Sequence, residues 1–428
     1  MRVLDIIENQ SIIIDEKVVL RDEYFDIIAN NVDKKFYSVA YKPVGLEITA
    51  SNYIGTVPIN KSLALNIKPK IGIKNFFYIL LKSERELNML EDFMRKYNKM
   101  ENNTNLIDLL TIAFLKKMQK IEREGIYRDY VRKERNSSTT KGKILFKEHI
   151  TLNVFKNIDY RVVHSFQELD RDILSNQVIK LTVEHLIRYY RLFGKEKKYL
   201  RKLLYLREVF SRVSYVSHII DFSQQDIKRL INDIPQIRSY YVDVLETCFL
   251  IMKRATFQFE KGIDSKGLNL PSIYINTEDV FERFLLNALV DLEDDQNVSF
   301  YKGKKYLFSD VSIPRIEPDI VIEENKVVTC IADAKYKGDK PKREDIFQMI
   351  SYLVSYNCEV GVFILPKHNN ATAEYLGTID EKCLYVYRVN LNHLDEKDIK
   401  EEELKLHAFL KKNLHDKKDF CEKQKGNI

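Results

Sequence analysis

The stretch from Arg315 to Tyr352 constrains the fold of this chain more than any other part of it. It contains two short hydrophobic runs that each end in charged residues, followed by the periodicity of an amphipathic helix. In the second run, Val327 to Tyr336, strand alternation places Asp333 and Lys335 on the same face. An acid and a lysine therefore project together from the end of a predicted strand.

These residue types fit one kind of chemistry. Cleavage of a phosphodiester uses a hard divalent cation with oxygen ligands and a positive group near the attacking water. Asp319, in the first run, and Asp333 offer carboxylates from adjacent strands, and the backbone carbonyl of Ala334 offers a third oxygen. The sequence thus predicts a site for Mg²⁺ or Mn²⁺ beside Lys335. The alternative is that these charges are only solvated strand ends.

Two further groups extend this predicted site. In the next helix Gln348 and Tyr352 lie four residues apart and share a face, so both are expected at the catalytic face. The same helix predicts a buried stripe of Ile346, Phe347, Ile350, Leu353 and Val354. Upstream, Glu282 lies in the mostly apolar helix pattern TEDVFERFLLNALV and is a candidate third acid. It could equally be an exposed helix glutamate.

Composition sets the outer bounds. The chain has 428 residues, 45% hydrophobic and 31% charged, which suffices for two or three domains with buried cores. No apolar run approaches the roughly 18 residues of a membrane span, and the N-terminus does not resemble a signal peptide. We therefore expect a cytoplasmic protein without a membrane segment. The five cysteines lack C-x-x-C spacing, which predicts reduced thiols and no zinc site.

The pattern along the chain predicts an α+β protein with several domains. Residues 1–85 contain six short β-type runs separated by Gly, Pro and Asn, which predict a β-rich domain for partner docking or DNA contact. Helical periodicity dominates residues 86–255, interrupted by a basic projection at about 125–147. Residues 256–395 follow the order α-β-β-β-α-β, typical of a mixed sheet flanked by helices. Residues 396–428 predict a charged surface helix and tail.

Local charge gives a second candidate surface. The formal net charge is only +6, but Arg188 to Arg212 holds nine Lys or Arg and two Glu. Such a helix can contact DNA phosphates, through Lys197, Lys198, Arg201 and Lys202, or can simply be a solvated face. There is no G-x-x-x-x-G-K-[ST] phosphate loop, so a nucleotide-driven motor would have to be another chain.

Asp-x13-Asp-x-Lys followed by Gln-x3-Tyr resembles the PD-(D/E)xK nuclease superfamily. Over nearly its full length the chain also resembles the McrC family, nuclease subunits of modification-dependent restriction systems. The segments that carry this resemblance are NYIGTVPINKSLALNIKPKIG, GIYRDYV with KGKI, DRDILSNQVIK, FERFL and the PD…DAK…QMISY core. The resemblance implies a restriction-endonuclease-like C-terminal domain. It also implies that Asp319, Asp333 and Lys335 are catalytic, with Gln348 and Tyr352 accessory and Glu282 the upstream acid.

The resemblance also implies partners. McrC proteins work with McrB, an AAA+ GTPase that forms hexameric rings, and stimulate its GTP hydrolysis. The implied substrate is modified double-stranded DNA. Cleavage of both strands would be served by two copies of the nuclease subunit. The projection is then a candidate ring contact, through Tyr127, Arg128, Arg132 and Lys143. An Arg-Gly-Arg-like step of the family is Lys141-Gly142-Lys143 here. Lysine lacks the bidentate guanidinium contact of arginine, so an arginine-specific role does not carry over.

Three functions stay open at this point. The first is a Mg²⁺-dependent DNA endonuclease subunit activated by an AAA+ GTPase. The second is a regulatory adaptor that docks on such a ring and raises its GTPase activity without cutting DNA. The third is a stand-alone nuclease with its own DNA-reading module. The intact set of two acids and a lysine favours the first.

Overall fold

A computed structural model of the chain divides it into two compact units. The split unit combines Met1–Leu109 with Ser272–Ile428, and the inserted unit is Leu110–Pro271. No helix of the described part is long and apolar enough to cross a membrane. The predicted start of the third domain at 256 and the tail beyond 415 lie outside that part. The structure describes residues 2–14, 36–59, 63–85, 106–193, 197–215, 229–254, 273–307, 315–336, 338, 340–367, 372–392 and 396–415.

The N-terminal part of the split unit contains all six strands that the sequence predicts. They form two small sheets, one of order β2-β4-β3 and one in which β1, β6 and β5 are neighbours. Their inward side chains, among them Ile6, Leu46, Ile48 and Leu65, share one apolar core. The strands are β1 (Arg2–Ile7), β2 (Ser11–Ile14), β3 (Tyr37–Lys42), β4 (Gly45–Ala50), β5 (Tyr53–Pro58) and β6 (Leu63–Lys68), followed by helix α1 (Ile73–Ser83).

A strand from beyond the inserted unit completes the larger of these sheets. Strand β10 (Ile273–Asn276) pairs antiparallel with β5. Helix α7 (Thr277–Leu292) begins at the next residue, and Asn276 caps it by accepting a hydrogen bond from the backbone N–H of Glu278 at 3.0 Å. The sequence divided this region into an N-terminal and a C-terminal domain. The structure joins them, because β10 supplies an edge strand that residues 1–85 lack.

The C-terminal part of the split unit is built on a six-stranded mixed sheet of order β11-β14-β15-β16-β18-β17. The three central strands β15, β16 and β18 run parallel, and the outer pairs are antiparallel. The sequence did not predict β17. The strands and their small companions are β11 (Val298–Tyr301), β12 (Lys305–Tyr306), β13 (Arg315–Ile316), β14 (Ile320–Glu324), β15 (Val327–Ala334), β16 (Val360–Pro366), β17 (Ala373–Ile379) and β18 (Lys382–Val389).

Two helices on this sheet differ from the predicted burial. Helix α8 (Arg343–Ser355) buries Met349, Tyr352 and Leu353, whereas Phe347 and Val354 of the predicted stripe are exposed. The helix is rotated about its axis so that Tyr352 packs in the core, and the Arg343 guanidinium covers the Phe347 ring at 5.2 Å. Helix α9 (Glu396–His415) is not a plain surface helix. One stripe of it is buried: Ile399, Leu406 and Leu410.

The inserted unit is less helical than its sequence predicts. Its helices are accompanied by a three-stranded antiparallel sheet of order β7-β9-β8, in which β7 and β9 pair over nine residues. The predicted basic projection is therefore largely a β-ribbon. The elements are α2 (Leu106–Glu124), β7 (Asp129–Ser137), β8 (Lys143–Ile144), α3 (Phe146–Leu152), β9 (Val162–Asp170), α4 (Leu174–Leu192), α5 (Lys197–Val209) and α6 (Tyr240–Arg254).

Candidate active site

Strand register brings the two predicted acids together. Ile320 of β14 lies opposite Ala332 of β15, so Asp319 and Asp333, one residue further on each strand, face each other at the strand ends. The Asp319 carboxylate accepts a hydrogen bond at 2.9 Å from the backbone N–H of Ala334. Asp333 is only 3% exposed. The Pro-Asp and Asp-x-Lys segments thus form one carboxylate pair at the edge of the sheet.

Lys335 joins this pair as the chain leaves β15. Its backbone N–H still donates to Ile364 of β16 at 2.9 Å, which holds the residue against the sheet. Its Nζ lies 2.8 Å from Asp333 Oδ2 as an ion pair and donates to Gln348 Oε1 at 3.1 Å. Lys335 also has a second acidic neighbour, Asp345 on helix α8, whose Oδ1 lies 3.6 Å from the Lys335 Nζ. The sequence predicted Gln348 beside Lys335 but missed Asp345.

Burial dominates the electrostatics of the site. Burial raises the pKa of Asp319 to about 8, and the neighbouring Asp333 and Glu282 carboxylates add to that rise. Burial also raises the pKa of Asp333, although Lys335 opposes it. For Lys335 burial acts downward, but Asp333 and Asp345 outweigh it and keep the pKa above its usual value. The lysine is therefore a cation at neutral pH, and the acids compete for protons.

Helix α7 delivers Glu282 to the same place. Its carboxylate lies 3.4 Å from the Nζ of Lys302, which is also 3.8 Å from Asp319 Oδ1. Lys302 belongs to a short basic stretch after β11 that sequence reasoning did not single out. The signal available was its place in the basic segment YKGKKY, which is separated from Pro318 by 11 residues.

Tyr352 lies behind the carboxylates in the core. Burial raises its pKa, and Asp333 and Asp319 raise it further, which places the ring near the acids. The site therefore gathers all six side chains that the sequence named for catalysis: Asp319, Asp333, Lys335, Gln348, Glu282 and Tyr352.

A buried carboxylate supports the site from the N-terminal sheet. Glu8, which follows β1, accepts hydrogen bonds from the hydroxyls of Tyr336 at 3.0 Å and Thr277 at 2.8 Å. Tyr336 follows Lys335, and Thr277 begins the helix that carries Glu282. Burial raises the pKa of Glu8. The first strand of the chain thus fixes both segments that bring groups to the site.

The oxygens of Asp319, Asp333 and the Ala334 carbonyl are of the kind that a divalent cation binds. Asp333 Oδ2 is buried and, apart from its ion pair, accepts no hydrogen bond of good geometry in the described structure. Two crowded carboxylates with raised pKa values are a donor set that a hard cation fits. No three His, Cys, Asp or Glu side chains converge as a metal-binding group within the described residues. A metal held by Asp319, Asp333 and the Ala334 carbonyl remains a prediction.

The predicted partner contacts lie elsewhere, in the inserted unit. Tyr127 is 8% exposed, and its hydroxyl donates to Asp129 at 2.9 Å, so this residue is part of the core. Arg128, Arg132 and Lys143 are exposed on or beside the ribbon. Gly142, between Lys141 and Lys143, has a φ of +76°, and a Cβ there would lie 2.3 Å from the Ser165 carbonyl oxygen. The Lys-Gly-Lys step therefore requires its glycine.

The basic helix α5 presents only part of its charge. Lys197, Lys198 and Arg201 are exposed. Lys202 instead donates to both carboxylate oxygens of Glu122, at 2.7 and 2.9 Å. Contact with DNA phosphate therefore remains a prediction for the first three residues, while Lys202 already pairs within the unit.

Comparison with known proteins places the chain. A model of the family described as "McrBC 5-methylcytosine restriction system component" matches residues 48–366, most of the chain. The chain belongs to this McrBC family. It is 23% identical over 372 residues to the Type IV methyl-directed restriction enzyme EcoKMcrBC of Escherichia coli K12, covering 79% of this chain and 99% of that relative.

A solved structure shares the fold of this McrBC family member. A chain in the refined half-complex of Thermococcus gammatolerans McrB AAA+ hexamers with bound McrC superposes with a TM-score of 0.61 at 16% identity. The match covers 95% of this chain and all of that one. The expected membership of the McrBC family and the mixed α/β fold are confirmed.

Proposed function

We propose that this chain is the Mg²⁺-dependent DNA endonuclease subunit of a McrBC-type restriction system. The observation that carries the proposal is the meeting of Asp319, Asp333 and Lys335 at one sheet edge, with Gln348 on Lys335. Asp319, Asp333 and the Ala334 carbonyl would hold the metal. A metal bound there would polarise the scissile phosphate and lower the pKa of water.

The protein's own groups have defined tasks in this reaction. Lys335 carries its proton at neutral pH, so it acts as a positive hydrogen-bond donor that orients water and stabilises charge on the phosphorane-like transition state. It does not act as a free amine base. Gln348 accepts a hydrogen bond from Lys335 and limits its rotamers, which fixes the direction of its remaining N–H groups. Water attacks phosphorus directly and the P–O bond to one sugar oxygen breaks, without a covalent enzyme intermediate; the proton that the water loses is balanced by the one that the leaving oxygen takes up.

The partner in this proposal is an AAA+ GTPase ring of the McrB type, whose nucleotide hydrolysis the chain stimulates. Support comes from the Thermococcus structure, which contains McrB hexamers with bound McrC. On this chain the β-ribbon, helix α3 and the segment between α3 and β9 form a suitable contact surface, because they expose large apolar side chains: Tyr130, Phe146, Phe155, Tyr160 and Leu169. Phe155 is 78% exposed. Arg128, Arg132 and Lys143 flank these residues.

The adaptor function is the second candidate. The same exposed ribbon favours it, since docking on a ring needs no nuclease chemistry. The retained acids and Lys335 favour the nuclease, because a non-cutting adaptor has no use for two buried carboxylates whose charged forms are disfavoured.

The deciding experiment is cleavage of methylated and unmethylated plasmid by the purified chain with Mg²⁺. It is run with and without the AAA+ partner, and with GTP or ATP. We expect cleavage only with partner and nucleotide present. Stimulated nucleotide hydrolysis without cleavage would establish the adaptor, and cleavage by the chain alone would establish the stand-alone nuclease.

A further inference from the structure

Lys302 is held at the edge of the site by a loop with little freedom. The backbone N–H of Gly303 donates to the Pro318 carbonyl at 2.9 Å. A Cβ on Gly303 would lie 2.5 Å from the Pro318 ring and 2.8 Å from the Tyr356 hydroxyl, so the loop is pressed onto the Pro-Asp turn. Two residues on, Lys305 donates to the Ser355 carbonyl at the end of helix α8. The backbone under Lys302 is thus fixed relative to Asp319.

The ammonium of Lys302 lies between two carboxylates, 3.4 Å from Glu282 and 3.8 Å from Asp319. In two-metal nucleases a cation bridges carboxylates in this manner and clamps a phosphate oxygen. The lysine side chain is 50% exposed, so a DNA phosphate can reach its ammonium from solvent. An ammonium with free donors beside the acids is a phosphate ligand.

The charges of the site also count in favour of a single metal ion. Four carboxylates and two ammonium groups lie in contact, which leaves two negative charges when all are ionised: Glu282, Asp319, Asp333, Asp345, Lys302 and Lys335. One divalent cation neutralises that sum. Before DNA binds, a second would leave an uncompensated excess of positive charge in a partly buried place, which is unfavourable.

We propose that Lys302 takes the place of a second metal ion, so that the site binds one divalent cation per chain and Lys302 contacts a DNA phosphate. This inference rests on the proposed nuclease function and adds the number of ions and a substrate-contacting residue. Glu282 then serves to hold the Lys302 ammonium. It does not act as a metal ligand while that lysine is present.

The test counts bound ions by calorimetric titration of Mn²⁺ into the full-length chain. We expect one ion in the wild type and in Lys302→Arg, and a second, weaker ion in Lys302→Ala, where Glu282 and Asp319 lose their bridging cation. Lys304→Ala is the matched control, because Lys304 is an exposed lysine of the same loop. It should bind one ion.

A second measurement addresses the phosphate contact. Binding of a short DNA duplex in Ca²⁺ is followed by fluorescence anisotropy at several salt concentrations. Lys302→Ala should weaken binding by about tenfold. It should also reduce the slope of log affinity against log salt concentration by about one, as expected for the loss of one phosphate contact, while Lys304→Ala changes affinity less.

Different results would overturn the two proposals separately. Two ions in the wild-type chain, or a single ion in Lys302→Ala with unchanged DNA affinity, overturns the role of Lys302. A wild-type chain that binds no ion and cleaves nothing with its partner overturns the nuclease itself. Cleavage supported by two ions would leave the nuclease standing and remove only the lysine from its metal site.

Discussion

The two units each contain a lysine between two carboxylates, and the two clusters differ in what surrounds them. On the ribbon of the inserted unit, Lys133 contacts Asp170 and lies 2.9 Å from Glu168. In the split unit, Lys335 lies 2.8 Å from Asp333 and 3.6 Å from Asp345. The contacts are alike, but the first cluster is near the surface and Asp333 is buried.

The acids respond in opposite directions. The Lys133 ammonium lowers the pKa of both Glu168 and Asp170, so those charges are satisfied in water. At Asp333 burial outweighs the lysine and raises the pKa. The surface carboxylates are therefore stably ionised beside their lysine, whereas a further cation would stabilise the ionised form of the buried carboxylate. Contact distance alone would not have separated a solvated ion pair from a candidate active site.

The largest difference between the two clusters should appear in cleavage. Asp333→Ala or Lys335→Ala removes a ligand or the transition-state cation, and we expect cleavage in the presence of the partner to fall by about 10³-fold or more. Lys304→Ala, an exposed lysine outside both clusters and outside the ribbon, is the control and should cleave at the wild-type rate. Lys133→Ala is compared at saturating partner, where we expect wild-type cleavage because its cluster has no part in the chemistry. Initial rates of plasmid cleavage measure the effect, and partner binding should be unchanged in the two site variants and in Lys304→Ala. Wild-type rates in both site variants would remove the distinction between the clusters.

A second contrast comes from a buried histidine of the inserted unit that belongs to neither cluster. Burial lowers the pKa of His185, on helix α4, to about 4 from an ordinary value of 6.5. Between these values the folded state binds fewer protons than the unfolded state, so stability is fully present above pH 6.5 and is lost as pH falls toward 4. The loss should reach about 3 kcal/mol. Denaturant unfolding of wild type and His185→Leu over this range measures it, and parallel pH profiles would contradict it.

Removal of the hydrogen bonds that Glu8 accepts behind the buried cluster should lower stability by a smaller amount. Glu8→Ala removes the acceptor of the Tyr336 hydroxyl and of the Lys70 N–H, while the Thr277 hydroxyl keeps only the Asn52 carbonyl, so we expect a loss of about 2 kcal/mol. Glu8→Gln keeps one acceptor oxygen and should lose less. Urea unfolding gives the stability, and metal affinity of the folded variants reports the site. Equal stability of Glu8→Ala and wild type would show that this network does not support the site.

The smallest expected effect, about 1.4 kcal/mol for each pH unit, is a proton linkage in metal binding. The pKa of Asp319 is about 8, so below that pH a metal ion must displace a proton. Apparent affinity should therefore rise by roughly tenfold per pH unit up to about pH 8 and then level. Calorimetry with Mn²⁺ in buffers of different ionisation enthalpy measures both affinity and proton release. A flat pH profile would show that the buried acids are already ionised and would weaken the contrast with the ribbon.

Local patterns predicted which residues meet at the sheet edge, because each signal lies within a few residues. The alternation of β15 determines which face carries Asp333 and Lys335, and one helical turn links Gln348 to Tyr352. The six N-terminal strands were likewise predicted from β-branched runs and turn residues. These features depend on short-range geometry that a single sequence contains.

What the sequence did not show depends on contacts between distant segments. The pairing of β10 with β5 joins residues more than 200 positions apart, and nothing local marks it. Strand β7 of the ribbon has no buried position, and its run DYVRKERNS is rich in lysine and arginine, so it lacks the apolar alternation that marks a strand. Phe347 and Val354 were assigned to the core by helical spacing, but the rotation of α8 is set by the sheet beneath it.

The discontinuity of the split unit has a consequence for how the chain is made. A ribosome releases the chain from the N-terminus, so β5 emerges with its edge open and must wait for the whole of Leu110–Pro271 before β10 arrives. The inserted unit is contiguous and is complete first. Nascent chains should therefore acquire the inserted unit before the acids, Lys335 and Glu8 can meet, and a truncated product would carry a folded ribbon without a completed sheet beneath the candidate site.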